Sequence, residues 1–517
     1  MRALRTKPVE QSLEDVEDVT GHHLRRRLSA LDLTVFGVGV VIGTGIFVLT
    51  GKAAKEMAGP AVALSFVAAG AACALAALCY AEFSSTVPVA GSAYTYSYAT
   101  LGELPAWIIG WDLLLELALG AAVVSVGWSQ YFTSLLDSYG WHWPHAIGSG
   151  DGSTINLPAV VIVLILTAVL VGGIKLSARV NLTIVVIKVA IVLFVIVAGL
   201  FFVRSGNYHP FLPHAKSTPN VHGLKAPLIQ VLFGYTPVAF GVPGIFSAAA
   251  LVFFAYIGFD VVATAAEETR RPQRDLPIGI IASLAICTVL YIAVSLVVVG
   301  MRKYSTLGTE APLADAFRAV GHPGFARLIS FGSLAGLTTV VMVLMLGQSR
   351  VLFAMSRDRL LPPVLSTVHP RLRTPTRTTL LVGLVTAGFA GFIPLSALAE
   401  MTNIGTLFAF ALVSIAVIVL RRTRPDLERG FRTPWVPVLP ILAVLAVLYL
   451  MLNLAVETWL RFAAWMLVGF VLYFAYGIRH SRMASGGRRD VAGDRHGVPG
   501  GPQRRQGRPD HQQARHA

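Results

Sequence analysis

Phe36-Gly-Val-Gly-Val-Val-Ile-Gly-Thr-Gly-Ile-Phe47 places four glycines, at 37, 39, 43 and 45, inside an apolar run of helix length. A dinucleotide-binding loop would need a third glycine at 42, where Ile42 stands, and a βαβ unit around it. Small residues four apart, such as Gly39 and Gly43, let membrane helices approach closely. Close packing does not account for Gly43-Thr44-Gly45 in succession. Two glycines flanking a hydroxyl weaken a helix and free backbone N–H groups that must find partners at membrane depth. The stretch reads as a transmembrane helix broken near its middle.

The rest of the chain supplies the membrane context. Of its 517 residues 55% are hydrophobic and only 13% charged, against about 25% charged in ordinary soluble domains. Apolar runs near twenty residues recur, each able to cross the hydrocarbon core as a helix. Twelve spans are expected, at 31–51, 61–83, 104–131, 158–173, 181–203, 246–266, 276–300, 327–354, 378–394, 397–420, 436–454 and 459–478. Cys73, Cys79 and Cys287 all lie inside such runs, which suggests neither a disulfide framework nor a zinc site. Residues 1–30 hold Arg2, Arg5, Lys7 and Arg25–Arg27 without an apolar core, so the first helix is expected to act as the first membrane signal.

Basic residues orient the spans. Arg357, Arg359, Arg371, Arg373 and Arg377 follow span 8, and Arg421, Arg422, Arg424, Arg429 and Arg432 follow span 10. The connection between spans 9 and 10 holds none. Both termini are therefore expected in the cytoplasm. The net charge of +15 owes much to nine arginines from Arg479 onward, in a Gly-, Pro- and Gln-rich tail that cannot bury a core. Such a tail suits an anionic inner leaflet, and the positive-inside pattern explains the charge without nucleic acid.

Span 6 matches span 1. Val252-Phe-Phe-Ala-Tyr-Ile-Gly-Phe-Asp260 sets Gly258 near mid-helix, and the chain leaves through Glu267, Glu268, Arg270, Arg271 and Arg274. Interrupted helices at corresponding places of two five-helix units point to an inverted repeat with a binding site between them. The halves share no evident sequence similarity, so the repeat rests on the breaks.

Three ionisable groups stand out. Lys188 lies within Ile184 to Leu200, IVVIKVAIVLFVIVAGL, where a charge either pairs inside the bundle or serves a pathway. Glu116 follows Asp112 by four residues on one face of span 3. Asp112 is a candidate solvated cap; Glu116, deeper, is a candidate contact for a cationic substrate or a bundle stabiliser. Asp260 is expected to cap or brace the inner half of span 6. His142, His145, His209, His214 and His222 are scattered through outer loops, a poor arrangement for metal ligands. No metal and no cofactor is expected.

The strings GVGVVIGTGIFVLTG (37–51), FFAYIGFDVVATAAEETRRPQRDLPIGI (253–280), FRTPWVPVLP (431–440) and YLMLNLAVETWLRF (449–462) resemble the amino acid–polyamine–organocation superfamily. Within it they are most similar to the bacterial cationic amino acid transporter branch, over about residues 25 to 480. The resemblance implies an all-α polytopic protein of the leucine-transporter-like fold, with broken helices 1 and 6. Its parts are a cytoplasmic N-terminal segment (1–30), a first five-helix repeat (31–203), an extracellular loop (204–245), a second repeat (246–420), two C-terminal helices (421–480) and a disordered basic cytoplasmic tail (481–517).

The resemblance also assigns roles. The substrate carboxylate is held by backbone N–H groups at Gly43, Thr44, Gly45 and Ile46, a setting that a half-helix N-terminus favours. The substrate ammonium meets carbonyls near Phe254, Ala255 and Ile257, with Phe254 as the closing aromatic rather than a lipid-facing one. Lys188 aligns with a span 5 lysine of proton-coupled members, where the ammonium stands in for a sodium ion between spans 1 and 8. Since a low-dielectric site disfavours a charged amine, proton exchange there is feasible. Thr338 and Thr339 are candidate partners of Lys188. The implied activity is proton-coupled uptake of cationic or small neutral L-amino acids across the cell membrane by alternating access. An amino acid or polyamine exchanger without net proton coupling, and a receptor of the same fold that does not transport, remain open. A channel would need a symmetric filter or charged ring, and a membrane enzyme a nucleophile–base grouping; neither is evident. The amino acid carried and the oligomeric state are not legible.

Overall fold

Apolar runs without Gly or Pro clusters satisfy their own backbone as helices, and the chain follows that rule almost throughout. A computed structural model describes residues 28–86, 94–95, 97–98, 102–149, 153–173, 178–218, 223–372, 374–425, 427 and 429–481. The segment before 28, the tail from 482, His222 and Arg373 lie outside the described residues, as do the side chains of Glu267 and Glu268.

The main helices are α1 (Ala30–Val41), α2 (Val62–Thr86), α3 (Glu103–Asp137), α4 (Leu157–Val171), α5 (Ala178–Leu200) and α6 (Gly241–Val252). They continue as α7 (Pro272–Met301), α8 (Pro323–Arg357), α9 (Thr376–Phe392), α10 (Leu395–Thr423), α11 (Val438–Leu452) and α12 (Val456–Leu472). Among the described residues eight helical stretches are long and apolar enough to cross a membrane, the first running from Gly45 to Thr86. Four shorter apolar helices, α1, α4, α9 and α11, accompany them. The helices α1 and α6 end at Val41 and Val252, well short of the expected span ends at 51 and 266. The structure extends α3 to Asp137, beyond the expected end at 131. The connection before α6 carries an antiparallel pairing of Lys216–Ser217 with Val238–Ala239, and a short amphipathic helix, Pro312–Ala319, precedes α8.

Three helix pairs five places apart pack on each other. The helix α7 lies along α2, α8 along α3 and α9 along α4, while α7 also covers α1 and α10 lies against α3. The broken segments after α1 and α6 touch each other. At the end of α2, buried Glu82 accepts from Arg421 Nε at 2.9 Å and Nη2 at 2.7 Å, and from the Thr433 amide at 2.7 Å. That brace ties α2 to the end of α10 and the segment beyond it.

Candidate functional site

Helix α1 includes Gly37 and Gly39 and stops at Val41, two residues before Gly43. Ile42 turns to φ −70°, ψ 96°, and helical winding resumes as a π-helical turn over Gly45–Leu49. The first amides of a restarted helix have no acceptor within it. At the same level α6 tightens into 3-10 winding over Phe253–Tyr256 and opens at Ile257, φ −62°, ψ 134°. Gly258 takes φ 116°, a conformation that glycine alone adopts readily.

The two breaks meet. A Cβ on Gly45 would fall 2.2 Å from Ala255 Cα, so only glycine lets the backbones approach. A Cβ on Gly43 would meet nothing closer than 3.8 Å, because Gly43 opens onto a cavity. That cavity, about 10 Å³, is lined by Val40, Val41, Gly43, Gly45, Gly120, Val124, Phe254, Ile257, Val340 and Leu344. It has room for about one water molecule, so the walls must part to admit anything larger. Phe254 and Ile257, just beyond α6, form one side of it.

Beyond the end of α1 the helical amides that would serve its last carbonyls are missing, and donors are found for those of Val38, Gly39 and Val41. Ile42 N donates to Val38 O at 3.0 Å, Lys188 Nζ to Gly39 O at 2.6 Å, and Tyr291 Oη to Val41 O at 2.7 Å. Lys188 is buried, and its stem lies on Gly336 of α8, where a Cβ would sit 2.8 Å from Lys188 Cγ. The side chain thus bridges α1 and α8. A cation at a helix C-terminus also meets the negative end of the helix dipole.

With this geometry in hand, comparison with known proteins is decisive. Residues 28–474 match the model of the amino acid permease family. The chain belongs to that family. A methylthioribose transporter of Bacillus subtilis is 49% identical over 89% of this permease and 95% of its own length. A branched-chain amino acid permease of the same organism is 47% identical over 92% and 98%. A vacuolar cationic amino acid transporter of Arabidopsis thaliana is 37% identical over 82% and 68%.

Other expected residues of the permease are placed differently. Thr338 and Thr339 do not bond Lys188: Thr338 donates to Leu334 O and accepts from Trp128 Nε1, while Thr339 donates to Gly336 O. Thr44 turns its hydroxyl towards Gly127 of α3, and the buried Ile46 is outside the cavity lining, so both can serve only through their backbones. Ala255 packs on Gly45. Glu116 lies one turn from Gly120, outside the cavity lining, beside Thr406 of α10. Asp112 is fully buried against Gly405 rather than solvated at a helix end. Asp260 accepts from Gly258 N at 3.2 Å, the bracing geometry expected of it. Among the described residues no three His, Cys, Asp or Glu side chains gather as metal ligands. Tyr291 was missed, because a single tyrosine in an apolar helix carries no signal until its hydroxyl is seen on Val41 O.

Proposed function

We propose that this permease is a secondary active transporter that takes up neutral aliphatic L-amino acids together with protons. The observation that carries the proposal is the cavity between the two breaks. Its side-chain surface is entirely apolar, from Val40, Val41, Val124, Ile257, Val340 and Leu344, and amides and carbonyls of α1 and α6 border it. That combination suits an ammonium and a carboxylate held by backbone, with an aliphatic side chain against the valines. The relative named as a branched-chain amino acid permease accords with it. Lys188, bonded to Gly39 O between α1 and α8, is the proton site of this proposal; losing its proton would weaken the hold on α1 and favour another state of the bundle.

The proposal includes twelve spans in two inverted five-helix units with two further helices, a cell-membrane location and cytoplasmic termini. Packing of α2, α3 and α4 each on the helix five places later supports the repeat. The arginines after α10 support the orientation. A second reading, transport of cationic amino acids, draws on Glu116, whose buried Oε2 has no partner one turn beyond the cavity. It requires Glu116 to enter the site when the walls part.

A competition panel in proteoliposomes tests the choice. With radiolabelled L-leucine and an inward proton gradient, excess valine, isoleucine and methionine should abolish uptake and arginine should not. Competition by arginine and lysine alone would favour the second reading. Uptake that ignores the gradient and needs internal amino acid would replace symport with exchange, and binding without counterflow would leave a receptor.

A further inference from the structure

The two breaks are capped by different chemistry. At α1 the freed carbonyls are held by Lys188 of α5 and Tyr291 of α7. At α6 the corresponding cap is Asn403 of α10, whose Nδ2 donates to Ala250 O at 2.7 Å and to Leu251 O at 3.0 Å. Where α6 passes into 3-10 winding at Phe253, bonding shifts from the fourth to the third preceding residue and a carbonyl at the junction loses its usual amide. Asn403 is fully buried, and its Oδ1 has no partner, so donation is what holds this side chain in place. Two carbonyl acceptors also fix which way the amide faces, since only the NH2 end can serve both.

We infer that Asn403 is a positioning residue for the substrate site, fixing the end of α6 so that the carbonyls from Phe254 to Ile257 stay directed at the substrate ammonium. The inference rests on the transporter reading of that break. It assigns the two caps different behaviour. An amide keeps its donors at any pH at which the protein folds, whereas an amine can give up its proton. The α6 break is therefore the fixed side of the site and the α1 break the releasable side. Lys188 and Asn403 stand on α5 and α10, the last helices of the two proposed five-helix units, so the caps occupy equivalent places.

Replacing Asn403 by Asp gives a direct test, because a carboxylate would confront two carbonyl oxygens while a carboxylic acid can still donate to one. The titratable side chains near this part of α10 are Glu116 beside Thr406 and Asp112 beside Gly405, both from α3, and Asp260, beyond α6, whose charge acts on Glu116; Cys79 on Ser414 and Glu82 on Arg421, from α2, lie about three and five turns further along α10. On α10 itself Glu400 lies one turn away, bonded by Thr458 at the start of α12. The acids would oppose a further negative charge at position 403.

The experiment is initial-rate uptake of radiolabelled L-leucine by wild type, Asn403→Asp and Asn403→Leu in proteoliposomes from pH 5 to 8. Asn403→Leu should raise KM about tenfold at every pH, the effect expected of a lost buried donor. Asn403→Asp should be poor at neutral pH and recover towards wild type as the medium is acidified. The ratio of Asn403→Asp to wild type at each pH stands even if Asn403→Leu fails to fold. A wild-type KM in Asn403→Leu, or a wild-type pH profile in Asn403→Asp, overturns the inference. Absence of uptake by wild type would instead strike the proposed function.

Discussion

At Gly45 a methyl group has nowhere to go, while at Gly43 it makes only ordinary van der Waals contact with Val340, and the two glycines of one short motif thereby differ in what a methyl would disturb. Gly45→Ala forces apart two backbones and should cost about 1–3 kcal/mol, as overpacking does; the readout is a lower melting temperature in detergent. Gly43→Ala should melt like wild type. It places a methyl at the cavity wall, and L-leucine affinity should fall about tenfold, equivalent to roughly 1.4 kcal/mol. Tyr291→Phe leaves Val41 O without its donor, a loss of about 1–3 kcal/mol for a buried group. Uptake should slow while its response to the proton gradient persists, since Lys188 remains; loss of that response would make Tyr291 part of the proton path.

At the scale of helices, the breaks were legible and their caps were not. Gly43-Thr44-Gly45 and Gly258 announce themselves because glycine weakens a helix wherever it stands, so the local sequence predicts both interruptions. The donors that make the interruptions affordable come from far along the chain. Lys188 is conspicuous as a charge in an apolar run, and its ammonium donates to Gly39 O. Thr338 and Thr339 were misjudged because hydroxyls in helices commonly bond back to a preceding carbonyl, as both do here. Asp112 was read as a solvated cap from its position near a span end; the packing of α10 over α3 buries it instead. Such burial depends on which helix covers which face, and one sequence does not state that.

Across the whole molecule, the brace at Glu82 joins elements that the substrate site does not touch. Glu82→Gln would keep the shape but remove the charge that Arg421 and Arg429 share, leaving guanidinium groups partly buried without it. About 3 kcal/mol of stability should be lost, in the range for breaking one partner of a buried ion pair. Melting in detergent reads this, and Lys188→Ala provides the contrast, since its principal effect should fall on coupling. In the proposed function the Lys188 bridge between α1 and α8 would couple proton movement to amino acid movement. The most direct measurement compares wild type with Lys188→Ala in proteoliposomes, scoring both gradient-driven L-leucine accumulation and exchange of internal for external L-leucine. Lys188→Ala should lose accumulation driven by the proton gradient and retain exchange. Gradient-driven accumulation at the wild-type level in Lys188→Ala would contradict that coupling.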